Sequence, residues 1–128
     1  MYREQLAWLT EWAARKTHKP LVIRGARQVG KSTLVSLFAE HQGYDLIALD
    51  FERNPEYADV FSQSDPTKII QTLSLLLERD IEPGKALLFL DEVQVNPEIL
   101  GTLRYFYEEL PDLHVIAAGS LLDFEMVS

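Results

Sequence analysis

The chain is 128 residues long, enough for one domain with one core. An apolar fraction of 47% and a charged fraction of 25% exclude the disordered and fibrous classes and predict a packed globular interior. With 12 Lys+Arg against 20 Asp+Glu the net charge is −8, a field that repels nucleic acid and anionic membranes, and with no cysteine there can be no disulfide, thiolate metal site or cysteine nucleophile.

Met1 to Pro20 mixes charged and apolar residues without an uninterrupted apolar run. It reads as neither a signal peptide nor a membrane span, and a cytoplasmic protein is expected. Leu6, Leu9 and Ala13 recur at helical spacing, with Trp8 and Trp12 one turn apart beside them, predicting a leading amphipathic helix over about residues 2–18. After Pro20, the run Leu21 to Arg24 predicts a first strand, which feeds into the glycine-bounded segment 25–32. Leu34, Leu37, Phe38 and His41 then mark a helix face that Gly43 terminates.

A second buried strand is predicted within Tyr44 to Phe51, closing at Asp50. Asp65-Pro66 pairs an N-cap with a first-turn proline, and Ile69, Ile70, Leu73, Leu76 and Leu77 predict a helix running until Pro83-Gly84. Leu87 to Leu90 is the third strand, ending in Asp91-Glu92. Asn96-Pro97 repeats the cap-plus-proline signal before a helix with Leu100, Leu103 and Tyr107 on one face, and Pro111-Asp112 turns the chain into a fourth strand, His114 to Ala118. Strands alternating with helices predict a single α/β domain over residues 1–128, a mostly parallel sheet with helices on both faces.

Two motifs carry chemistry. Gly25, Ala26, Arg27, Gln28, Val29, Gly30, Lys31 and Ser32 match the phosphate-loop pattern G-x-x-x-x-G-K-[ST] in the strand-before, helix-after context it requires. The glycines let backbone N–H groups wrap phosphates, Lys31 sets a cation against the β- and γ-phosphates, Ser32 offers a hydroxyl to Mg2+ and Thr33 is placed to assist at the α-phosphate. The second motif is the apolar strand that delivers Asp91 and Glu92 at its C-terminal end, where open α/β sheets bind ligands. Asp91 is expected to hold the metal and Glu92 to act as base on the water attacking the γ-phosphate.

Ser120 reads in two ways, as a polar sensor reaching the γ-phosphate or as the N-cap of a helix opening at Leu121-Leu122. Asp50 and Glu52 read as a solvated strand end. Arg27 and Arg104 read as solvated, and Tyr105-Phe106-Tyr107 as helix packing. His18, His41 and His114 have no metal-ligand spacing and are expected to be ordinary surface or core. A P-loop kinase would carry a further glycine where Gln28 stands, and a GTPase would need D-x-x-G where Asp91-Glu92-Val93-Gln94 stands, so ATP is the expected nucleotide.

With G-A-R-Q-V-G-K-S at 25–32, L-F-L-D-E-V-Q at 88–94 and L-R-Y-F-Y-E-E-L-P-D-L-H-V-I-A-A-G-S-L-L at 103–122, the chain resembles the predicted AAA-type P-loop ATPases of bacteria and archaea. The resemblance covers nearly the whole chain. It implies a three-layer P-loop sandwich with a sheet ordered 5-1-4-3-2, of which the strands read here would supply 1-4-3-2, bringing Lys31, Asp91 and Ser120 around one pocket. It also implies ATP binding and Mg2+-dependent hydrolysis driving a conformational switch. The alternative is a non-hydrolysing, nucleotide-dependent regulatory or nucleic-acid-associated binding module. Family members continue into a fifth strand and a C-terminal domain of unknown function, so an N-terminal fragment is expected. Its first strand would lie at an exposed edge, covered by the missing C-terminal part or by a homo-oligomer, and any arginine finger would come from elsewhere.

Overall fold

Each apolar run forms a strand: β1 (Leu21–Gly25), β2 (Asp45–Asp50), β3 (Ala86–Asp91) and β4 (His114–Ser120). All pair in parallel in the order β1-β4-β3-β2, with Val22 opposite Ala117, Leu88 opposite Val115 and Ile47 opposite Leu88. This is the 1-4-3-2 order implied by the resemblance. The computed structural model describes residues 3–25 and 30–120.

Strand alternation sends side chains to two cores. Leu88, Leu90, Val115 and Ala117 face one side, where α3 (Tyr57–Val60), α4 (Pro66–Leu77) and α5 (Glu98–Glu109) cover them with Val60, Ile69, Leu73, Ile99 and Phe106. Leu87, Phe89, Ile116 and Ala118 face the other, under Leu9 and Trp12 of α1 (Arg3–Ala14) and Val35, Phe38 and Ala39 of α2 (Lys31–Gln42). The central strands β3 and β4 are thus buried on both faces, which is why they read as continuous apolar runs. Fully burying one such side chain contributes about 1.5–3 kcal/mol. Among the described residues no helix is long and apolar enough to cross a membrane.

Several sequence expectations are corrected. The first helix ends at Ala14 and does not continue to His18, because the chain folds back: Trp12 Nε1 donates to the Lys19 carbonyl at 2.8 Å and His18 turns inward to stack on His114, ring centroids 3.8 Å apart. In α2 the buried line is Lys31, Val35, Phe38 and Ala39, while Leu37 and His41 are exposed. Lys31 must sit at the sheet end, so the positions four, seven and eight residues after it become the inward face.

α4 stops at Leu77, well before Pro83-Gly84, with Glu78 in the left-handed region (φ 53°) donating its N–H to Ser74. Arg79 then ion-pairs with Asp45. In α5 the inward face is Ile99, Thr102, Leu103 and Phe106, shifted from the expected Leu100 and Tyr107. A hydroxyl is tolerated there because Thr102 Oγ1 donates to the Ile99 carbonyl at 2.7 Å. Pro97 stands at the N-cap itself, although Asn96 Oδ1 still accepts from the Glu98 N–H at 3.3 Å. The short α3 and a 3-10 turn at Val93–Val95 were not anticipated.

Other expectations are met. Asp65 caps α4, accepting from the Thr67 N–H at 3.0 Å and the Lys68 N–H at 3.4 Å, with Pro66 in the first turn. Gly43 closes α2 at φ 77°, a conformation that suits glycine, and donates to the carbonyls of Ala39 and Glu40.

Candidate functional site

Parallel strands end on the same side of a sheet, so the C-terminal residues Gly25, Ser120, Asp91 and Asp50 line up along one edge in the order of the strands. Gly25 is directly opposite Ser120, and Asp50 directly opposite Asp91. The loop residues Ala26, Arg27, Gln28 and Val29 lie outside the described residues, as does the Ser120 side chain.

The described part of the loop motif opens α2. Gly30 adopts φ 74°, ψ 29°, a left-handed conformation that strains residues carrying a Cβ, and so turns the chain sharply into the helix. Lys31 follows in the first turn and is buried, 8% exposed. Ser32 and Thr33, in the same turn, are exposed.

The two motifs meet through one hydrogen bond: Ser32 Oγ donates to Asp91 Oδ2 at 2.9 Å, joining positions 59 residues apart. The other Asp91 oxygen, Oδ1, accepts from the Glu92 backbone N–H at 2.9 Å. Burial pushes the Asp91 carboxyl above the ordinary carboxylate range, and the nearby charges of Glu92 and Asp50 push it further. The Ser32 hydroxyl and the Glu92 N–H pull the other way. A half-buried carboxylate whose charged form is disfavoured by burial and by the charges of Glu92 and Asp50 is a group that gains by having a cation beside it. With a hydroxyl at hydrogen-bond distance, the donor set is made of hard oxygen atoms, the kind that Mg2+ takes with water and phosphate completing its shell.

Glu92 has its backbone in the left-handed region, φ 57°, ψ 43°, at the start of the 3-10 turn. Its Oε1 accepts from Gln94 Nε2 at 2.6 Å. Gln94 is buried, 8% exposed, and Val93 is fully buried beneath the turn.

Two residues gain weight over the sequence reading. Asp50, set aside there as a solvated strand end, lies in register with Asp91 and bears on its charge. Its Oδ1 also accepts from the N–H groups of Glu52 and Arg53 at 3.0 and 3.1 Å, so the same carboxylate shapes the turn after β2. Strand register was the signal that could have revealed this. Gln94 stood out in the sequence only as part of the family pattern. Arg104, by contrast, pairs with Glu108 on the exposed face of α5 at 3.0 Å. The histidines are core and surface as expected, with His18 and His114 buried and His41 exposed.

A groove between α4 and residues 80–83, lined by Ile70, Ser74, Ile81 and Pro83, precedes β3 and therefore opens at the other end of the sheet, away from these motifs.

A family model described as an AAA domain matches residues 17–126. Among solved structures, C. elegans PCH-2 aligns with a TM-score of 0.58 at 15% identity, covering 92% of this chain and 37% of that chain. At that identity the likeness is one of fold, and this chain spans little more than a third of the length of that one. No curated protein matches the chain.

Proposed function

The chain belongs to the AAA domain family, and from that premise we propose that it binds ATP with Mg2+ and hydrolyses it, the change of nucleotide state driving a conformational switch. The observation that carries this reading is the Ser32 Oγ to Asp91 Oδ2 hydrogen bond, which joins a phosphate-loop hydroxyl to a strand-end carboxylate as a shared metal site would demand.

Each residue has a separate task in this proposal. Backbone N–H groups of the loop from Gly25 through Ala26, Arg27, Gln28, Val29 and Gly30 cradle the phosphates, helped by the positive end of α2 and by Thr33 at the α-phosphate. Lys31 offsets the charge of the β- and γ-phosphates from a buried position. Ser32 and Asp91 hold Mg2+, which when bound neutralises phosphate charge and so favours departure of the leaving group. Glu92 orients the attacking water and takes its proton. Ser120, at the end of the strand between the two motif strands, is the candidate to sense the γ-phosphate. The domain is read as a soluble, cytoplasmic module that works with further parts of a longer protein or with copies of itself.

The test is equilibrium binding of labelled ATP in the presence of Mg2+, with phosphate release followed in the same samples. Wild type is expected to bind and turn over. Lys31→Ala should lose binding, and Glu92→Gln should keep binding while losing turnover, by roughly the 100-fold or more typical of removing a general base. Binding without phosphate release in wild type would favour the non-hydrolysing regulatory module, and no nucleotide binding at all would refute both readings.

A further inference from the structure

Glu92 is held by more than its own peptide. Its backbone is fixed in the left-handed region at φ 57°, its N–H is tied to Asp91 Oδ1 at 2.9 Å, and its Oε1 accepts the Gln94 amide at 2.6 Å. Gln94 is in turn immobilised. It stands in the 3-10 turn, closed by the Val95 N–H on the Glu92 carbonyl at 3.3 Å and the Asn96 N–H on the Val93 carbonyl at 3.0 Å, with Val93 fully buried in the core. A side chain only 8% exposed has given up most of its rotamer freedom, so the donor it presents is directional.

We propose that Gln94 is the positioning residue for Glu92: its amide occupies Oε1, sets the orientation of the carboxylate plane, and leaves Oε2 as the oxygen that meets the attacking water. This inference rests on the ATPase reading above and deepens it. A glutamate, one bond longer in reach than an aspartate, has several orientations open to it at a strand end, and only some aim an oxygen at a water in line with the γ-phosphate. A neutral amide is suited to the task. It donates without adding charge beside Asp91 and Asp50, where another carboxylate would repel and a cation would compete with Mg2+. An apolar residue of the same length would fill the space but leave the carboxylate free to turn.

The effect expected of a misaimed base is on the chemical step, not on nucleotide affinity. Gln94→Met keeps length and burial while removing the donor, and is to be compared with wild type for kcat, KM for ATP, ATP affinity and thermal melting. The expected result is a roughly ten- to hundredfold fall in kcat with KM and affinity within about twofold. The same substitution in a Glu92→Gln background should lower the residual rate no further, because the group it positions is gone. Where Gln94→Met does not melt cooperatively, Gln94→Leu, which also lacks the donor and adds no charge beside Asp91 and Asp50, replaces it with the same expectations.

Unchanged kcat in a folded variant, a rise in KM at constant kcat, or an equal fall in the Glu92→Gln background would each overturn the positioning role. A wild type that releases no phosphate overturns the ATPase reading and this inference with it. Turnover in wild type that the Gln94 variant retains overturns this inference alone.

Discussion

The two ends of the sheet bury titratable groups by the same physics and put them to opposite uses. At the C-terminal strand ends, burial raises the Asp91 carboxyl, and Glu92 and Asp50 add to the effect. At the N-terminal ends, burial lowers the His18 imidazole from its ordinary 6.5, His114 adds to that, and Asp112 partly offsets it. Both groups are pushed toward neutrality. What differs is the company each keeps. Asp91 has a hydroxyl, a backbone N–H and two further carboxylates around it, an arrangement that a cation would complete. His18 has the stacked ring of His114 at 3.8 Å and the edge of Trp12 at 5.8 Å, with the Nδ1 atoms of both histidines buried and without a hydrogen-bond partner among the described residues. Burial of an ionisable group is therefore no sign of function by itself; the charges and donors gathered around it are what distinguish the two ends.

The aromatic end is a clasp that holds α1 against the sheet. Trp12 packs on both imidazoles and on Phe38, and its indole N–H holds the returning chain at Lys19. His114 Nε2 lies 3.0 Å from the Ala13 carbonyl, a second tie between β4 and the helix end. Trp12→Ala is the substitution with the largest expected effect on the fold, a loss of about 3–5 kcal/mol from cavity and contact terms. Urea unfolding followed by far-UV circular dichroism measures it. A loss below about 1 kcal/mol would mean that α1 is not integral to the domain.

Asp91→Asn breaks the comparison at the other end. It should lower phosphate release by about 100-fold or more, since in the proposed function Asp91 is an anionic ligand of Mg2+. Without Mg2+ or nucleotide, the same variant should melt no lower than wild type. A carboxyl whose folded-state value is raised contributes stability at low pH that is lost as pH rises through that value, so at neutral pH the ionised group is a burden on the apo fold. Lower stability of the apo variant would show that Asp91 serves the fold and not a cation.

The pH dependence sharpens the contrast. His18 is lowered in the folded state, so the unfolded chain takes up its proton first. Its contribution to stability is complete above pH 6.5 and is lost as pH falls below it. Asp91 acts in the reverse sense in a lower window, lending stability as pH falls toward the carboxylate range. Denaturation midpoints measured between pH 7.5 and 5.5 in an Asp91→Asn background should decline toward acid, and His18→Phe should flatten the decline. A profile that His18→Phe leaves unchanged would place the titration elsewhere.

Local chemistry decided what the sequence could show. Asp65-Pro66, Gly43 and the four apolar runs act through their immediate neighbours, and each forms the element its pattern predicts. The phosphate-loop and acid-pair motifs were legible for the same reason, and the strand order that brings them together followed from resemblance and not from spacing. What sequence reasoning missed depends on tertiary packing. The rotation of α2 is set by where Lys31 must sit, the end of α1 by the stacking of His18 on a residue 96 positions further along, and the role of Asp50 by its register with Asp91. Gln94 was visible as a letter, but its bond to Glu92 arises from a 3-10 turn too short for any periodicity to reveal.

The smallest effect separates two aspartates at the same end of the molecule. Asp65 stands at the start of α4, after the loop that leaves β2, and both its bonds go to backbone N–H groups of its own helix. Its task is to satisfy donors that the first helical turn leaves unpaired, and Asp65→Ala should cost about 1 kcal/mol of stability. ATP affinity should not change. Asp91→Asn is expected to do the reverse, sparing the apo fold and abolishing the chemistry. Measured side by side, by urea midpoint and by labelled-ATP binding, the two substitutions ask whether an acidic residue near the strand ends serves the backbone or a ligand. A drop in ATP affinity in Asp65→Ala larger than its loss of folded protein explains would mean that the start of α4 also belongs to the site.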